Sequence, residues 1–263
     1  MDIQFIIMLT LALVVGISLG LLGGGGSILT VPILTYVGGM DPKVAIASSL
    51  FIVGVTSIGG LISHARGGRV QWKTGIIFGL AGMVGAYLGG FVGGYIPGVI
   101  LMVLFAIMML ATAIAMIRGR KKVKTATDDK KQGLPLFRVI LDGALVGLAT
   151  GLVGAGGGFL IVPALNLLGG LPIAVAIGTS LLVIVMKSFA GFAGYLNKVA
   201  VDWTILLSFS AVAIVGSFIG AKLAGKIPEQ KLRKGFGYFV LVMGAFVIFQ
   251  EAPQLIELFT QGA

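Results

Sequence analysis

With 263 residues, 57% of them hydrophobic and 11% charged, and a mean hydropathy of +1.10, the chain lacks the polar surface that a water-soluble protein of this length needs. Its formal charge of +10 does not mark a nucleic-acid binder, because the cations gather in short loops at the ends of apolar stretches, where membrane topology places them. The absence of cysteine and the single histidine, His64, exclude disulfides, thiolate metal sites and a histidine-rich metal centre.

The N-terminal stretch has no basic leader region and runs into glycines where a small-residue cleavage site would stand, so it is expected to be retained. Its glycine run, Gly20-Leu-Leu-Gly-Gly-Gly-Gly-Ser-Ile-Leu-Thr-Val-Pro32, recurs as Gly151-Leu-Val-Gly-Ala-Gly-Gly-Gly-Phe-Leu-Ile-Val-Pro163. The match extends without a gap from Gly16 against Gly147 to Pro97 against Pro228, a spacing of 131 residues. Roughly a third of the aligned positions are identical, so the chain is two copies of one unit. In the first copy the run separates an apolar helix ending at Leu22 from a short helix expected from Ser27 to about Val37; the second copy divides at Gly154 to Gly158. Apolar stretches of about 20 residues, enough to cross a hydrocarbon layer of roughly 30 Å, follow near 43 to 63, 75 to 95 and 99 to 117, then near 173 to 195, 204 to 225 and 236 to 250. These runs are continuous, not alternating, which excludes a β-barrel and predicts an all-α polytopic membrane protein. The expected units are residues 1–118, a basic linker 119–137 and residues 138–263, each repeat a broken helix plus three spans.

Loop charge sets the expected topology. Residues 118 to 138 carry eight Lys or Arg and should be cytoplasmic, and the basic turn from His64 to Lys73 lies two crossings away on the same side. In the second copy the bias moves to another loop, Lys226 to Lys234, as repeats inserted in opposite directions would require. Three full spans per copy give the needed odd number if each glycine segment folds as a re-entrant hairpin. Eight full spans with parallel repeats are the alternative. Consecutive glycines at membrane depth are tolerated where protein or a water-filled cavity surrounds them, so both breaks are expected inside the protein near the midplane.

A helix that begins in mid-membrane presents unpaired N–H groups and the positive end of its dipole, and two such starts make an anion site. The candidates are Gly25, Gly26 and Ser27 in copy one and Gly156, Gly157 and Gly158 in copy two. Hydroxyls at equivalent positions, Ser48 and Ser49 against Thr179 and Ser180, are further candidate ligands. Lys187, near the middle of an apolar stretch and aligned with Thr56, is the sharpest candidate, because an intramembrane cation points to function. Asp142 is its candidate partner. Glycines at four-residue spacing, such as Gly16/Gly20 and Gly85/Gly89, are expected to let helices pack closely. Trp72 and Trp203 are expected as interfacial anchors, and His64 as a solvated loop-end residue.

A glycine run leading into Val-Pro-x-Leu, an Ala/Gly-Ser/Thr-Ser-Leu element and a His-x-x-x-Gly-x-Val-x-Trp turn, in two halves, together resemble the sulfite exporter TauE/SafE family of membrane permeases, from Gly16 to about Phe249. The resemblance implies a permease of the bacterial inner membrane moving small sulfur-containing anions such as sulfite or organosulfonates. The second copy departs from the pattern, with Tyr195 for His64 and Val199 for Gly68. The expected function is a secondary transporter working by alternating access, with the anion between Ser27, Ser49, Ser180 and Lys187; the alternative is an anion channel using the same glycine-lined site. Paired carboxylates, activated nucleophiles and a P-loop are missing, so no enzyme and no cofactor is expected. Coupling to protons or Na⁺ is open, with unwound carbonyls from Gly23 to Gly26 suited to the latter. The expected partners are the lipid bilayer and a small anion, not nucleic acid, and the sequence leaves the oligomeric state unspecified.

Overall fold

A computed structural model describes residues 3–22, 25–118, 136–154, 156–158, 161, 162, 165, 171–223 and 229–260. Gly23, Gly24, nearly all of the linker and the turn containing Lys226 lie outside these residues. Every regular element described is helical: α1 (Ile3–Leu22), α2 (Pro42–Arg66), α3 (Trp72–Gly93), α4 (Gly98–Arg118), α5 (Leu136–Val153), α6 (Ile173–Tyr195), α7 (Trp203–Leu223) and α8 (Glu229–Thr260). Between α1 and α2 a return arm winds through a 3₁₀ turn (Gly25–Leu29), an α turn (Thr30–Pro32) and a π turn (Ile33–Val37). Asp41 caps α2 by accepting from the Lys43 N–H at 2.9 Å, and Pro42, which has no N–H to satisfy, opens the helix.

Among the described residues seven helices are long and apolar enough to cross a membrane. They include α1, whose 20 uncharged residues measure about 30 Å at 1.5 Å per residue, so the first arm of the hairpin is itself of spanning length. The C-terminal helix also exceeds its expected stretch, running 32 residues with Pro253 inside it. Surface composition is inverted relative to a soluble protein. Leu80, Val84, Val242 and Phe249 are exposed, while Ser27, Ser49, Thr56 and Lys187 are buried, as a lipid-facing exterior around a polar interior requires.

The principal helix contacts join one copy to the other. A Cβ at Gly16 would strike the backbone of Ala213 and one at Gly20 that of Ser217, so α1 and α7 run parallel in close contact. The equivalent seam joins α5 to α3, where Gly147 meets Gly82 and Gly151 meets Ala86. Small residues every fourth position permit this approach. In contrast α2 and α6, which are equivalent helices, cross antiparallel: Gly60 faces Leu181, Gly54 faces Ser188 and Leu50 faces Gly191. Those pairs put the crossing at the level of Thr56 and Lys187.

The return arm runs back along α1. Gly26 packs beside Val15 and Leu19, and at the arm's far end the Val37 carbonyl accepts from the side chain of Gln4. Both ends of this hairpin therefore lie at one end of the molecule, beside Pro42 and Gly98. The opposite end collects the basic residues. There α2 finishes at His64 and Arg66, α4 at Arg118 and α7 with Lys222 in its last turn, and there α8 begins with Lys231, Arg233 and Lys234. The parallel course of α2 and α7 follows from Phe51 against Trp203, ring centroids 5.6 Å apart, and Gly59 against Ser217.

Candidate functional site

The breaks of the two copies meet beside Val53, one turn from the α2–α6 crossing. Gly156 and Gly157 have φ of +58° and +63°, the left-handed region in which a Cβ costs roughly 1–2 kcal/mol. Space forbids a side chain as well. A Cβ at Gly156 would come within 2.9 Å of Ser27 Cβ and 3.2 Å of its hydroxyl, and one at Gly157 would fall on Lys187 Nζ and Thr150. Successive glycines of copy two thus touch Ser27 on one side and Lys187 on the other. Neither Gly156 nor Gly157 gives its N–H to another described backbone group, while the Gly157 carbonyl accepts from Ile161 as the chain turns back into helix.

Lys187 is 2% exposed. Its ammonium donates to Thr150 Oγ1 at 2.5 Å, its stem packs near Gly82, and no group of three or more acidic or histidine side chains is gathered anywhere among the described residues. Asp142 is not its partner: it sits about two turns before Thr150 on α5, only partly buried. A buried ammonium bonded to one neutral hydroxyl, beside glycine N–H groups that go to no described backbone acceptor, is a cationic recess without an acidic partner among the described residues.

The hydroxyls divide differently from the sequence expectation. Ser49 Oγ lies 2.8 Å from the Ile46 carbonyl and 2.7 Å from the Gly154 carbonyl, so it braces the break of copy two from α2. Ser180 donates to Ile177 at 2.7 Å. Because α2 and α6 are antiparallel, these equivalent serines stand on opposite sides of the crossing, about 20 Å apart along the helix axes by the 1.5 Å rise. They cannot touch one small anion together. Thr179 accepts from the Gln71 N–H at 2.9 Å, at the α2–α3 turn and away from the break, and the buried Ser48 hydroxyl has no partner. Gly25, Gly26 and Gly158 line the breaks themselves.

Sequence reasoning missed Thr150, whose equivalent is Leu19, and the pair Ser57 and Ser188, equivalent buried hydroxyls without partners. The available signal was the coincidence in copy two of two polar residues, Thr150 and Lys187, where copy one has Leu19 and Thr56. His64 corrects another expectation. It is 2% exposed, held beside the Gly20 backbone and Gly178 instead of in solvent. Trp72 and Trp203 are half-exposed at matched positions.

The family described as Sulfite exporter TauE/SafE matches residues 8–247. A probable membrane transporter protein of Xylella fastidiosa is 37% identical over 245 residues, covering 92% of this chain and 94% of that protein. One of Methanocaldococcus jannaschii is 33% identical over 267 residues, covering 94% and 98%. Another, of Bacillus subtilis, is 27% identical over 235 residues, covering 89% and 96%. No solved structure matches.

Proposed function

The chain belongs to the sulfite exporter TauE/SafE family and is a multi-pass membrane transporter, and from that premise we propose that it carries a small sulfur-containing anion, sulfite or an organosulfonate, across the bacterial cytoplasmic membrane by alternating access. The observation that carries this reading is Lys187. An ammonium in mid-membrane costs about 2.5–3.5 kcal/mol on insertion scales, and an oxyanion seated against it, beside Ser27 and the N–H groups of Gly156 and Gly157, offsets that cost, while Thr150, whose own proton goes to the Val146 carbonyl, holds the ammonium in place. One ammonium matches one monoanion, and fixed donors around it suit the three oxygens of a sulfite or sulfonate head.

Alternating access needs two arrangements of nearly equal energy. Oppositely inserted repeats supply them, and two features support that insertion: the antiparallel α2 and α6, and the collection of basic residues from both copies at the linker end. On this reading the linker is cytoplasmic and the hairpin bases lie outside. The natural absence of cysteine allows single-cysteine labelling at Asp41, expected from outside, and at Arg69, expected from inside; the reverse pattern overturns the topology.

The functional test is binding followed by flux. Sulfite, sulfate, thiosulfate, sulfoacetate and carboxylates are screened for thermal stabilisation of the purified protein, because a ligand that binds only the folded state raises stability. A sulfur anion should give the largest shift, and saturable exchange of that anion should follow in proteoliposomes. Currents of channel size would instead make this an anion channel.

A further inference from the structure

Glu251 is a second buried charge-bearing group, remote from the anion recess. It is 3% exposed on α8. One carboxyl oxygen accepts from the Tyr36 hydroxyl at 2.8 Å, and the other has no hydrogen-bond partner. Tyr36 belongs to the last turn of the return arm, and its ring meets Phe246 of α8 edge-on at 5.4 Å. The carboxyl therefore ties the outermost helix of copy two to the hairpin of copy one. Tyr36 is the titratable group that bonds to it; α4, packed along α8, brings the apolar Leu101, Met102 and Phe105 to this half of the molecule, and from α1 the uncharged Gln4 bonds the carbonyl of Val37, next to Tyr36. The pair occurs once, since the repeat has Leu167 where copy one has Tyr36.

We propose that Glu251, held by Tyr36, is the proton-binding site through which a proton gradient drives anion movement. Among the described residues an ionised carboxylate here faces one phenol and no cation, a charge that burial leaves uncompensated. One proton on the open oxygen neutralises it, with Tyr36 still donating to the other. A metal cation needs several oxygens, and this site offers a single carboxyl and a phenol. The stoichiometry balances: one proton carried with one monoanion moves no net charge. Because Glu251 joins the arm to α8, loading and unloading it alters the contact between hairpin and scaffold, and the arm leads to Ser27. This inference rests on the transporter reading for its consequence, and on the carboxyl geometry for the site.

Proteoliposomes are loaded with labelled methanesulfonate, whose sulfonate stays ionised across the working pH range, so a pH gradient cannot act through the probe. Wild-type protein should exchange the probe at equal pH and accumulate it under an imposed gradient. Glu251→Gln, which keeps the acceptor for Tyr36, should keep exchange and lose gradient-driven accumulation. Tyr36→Phe, which retains the carboxyl, should keep accumulation with a shifted pH dependence. Gradient-driven accumulation by Glu251→Gln at the wild-type rate overturns the proposal. Infrared spectroscopy reads the site independently: a protonated-carboxyl band in the wild type that disappears on alkaline titration and is missing from Glu251→Gln supports it, and no such titrating band in the wild type overturns it. Absence of any exchange by the wild type, with the band present, removes the sulfonate reading and leaves the proton site standing.

Discussion

Where α2 crosses α6 the two copies place different chemistry on one backbone plan. Copy one has Leu19 and Thr56, the threonine hydroxyl spent on its own Ile52 carbonyl at 2.6 Å; copy two has Thr150 and Lys187, bonded to each other. Duplication therefore provides two helix breaks but only one cation. A symmetric pair of ammonium groups at the crossing would repel one another in a low dielectric, whereas one cation flanked by hydroxyls and amides can hold a single anion and release it. On the proposed function, affinity belongs to copy two, and copy one has the roles of wall and counterpart.

The largest effect expected from breaking this contrast is at Lys187. Lys187→Met removes a charge-assisted bond worth about 1.5–3 kcal/mol, so anion affinity measured by thermal shift or exchange should fall about 10- to 150-fold. Thr56→Val at the equivalent place in copy one should leave affinity nearly unchanged, as should Lys198→Met, whose ammonium lies over the Tyr95 ring at 4.1 Å. Equal losses at Lys187 and Thr56 would mean that the copies share the site.

A smaller effect is expected at the break. Gly157→Ala combines a left-handed backbone, about 1–2 kcal/mol for a Cβ, with a collision against Lys187 and Thr150. Gly39→Ala meets the same strain at φ +64° but nothing within 4 Å. Both should lower the melting temperature, and Gly157→Ala alone should also weaken anion binding. Unchanged binding in Gly157→Ala would separate the break from the site.

These contrasts also explain what could be read before the fold was known. The spans and the buried charge at Lys187 were legible because hydropathy and a charge in mid-span are local signals. The partnership of Ser49 with Ser180 was misjudged for a geometric reason: equivalent residues on antiparallel helices separate by twice their distance from the crossing, so Thr56 and Lys187 coincide in height while these serines move apart. Thr150 gave no signal by itself, since a threonine in a membrane helix ordinarily bonds its own backbone, as Thr150 also does to Val146 at 2.7 Å. His64 looked solvated from its basic neighbours, but the antiparallel contact buries it against Gly178.

The smallest predicted effect tests that last position. Tyr195, the equivalent of His64, is fully buried and donates to the Leu152 carbonyl at 2.6 Å; the His64 ring has only the Gly20 backbone beside it and makes no well-aligned hydrogen bond from either nitrogen. Tyr195→Phe deletes a hydrogen bond and leaves a buried carbonyl with less satisfaction, a loss of about 1 kcal/mol. His64→Leu removes only the contact with the Gly20 backbone and replaces a buried polar ring by an apolar side chain, so its stability loss should be smaller than that of Tyr195→Phe. Denaturation of the two variants side by side in detergent checks the pair. A loss in His64→Leu as large as that in Tyr195→Phe would make the His64–Gly20 contact a full hydrogen bond, and the two copies would then resemble each other at these equivalent positions more closely than their contacts indicate.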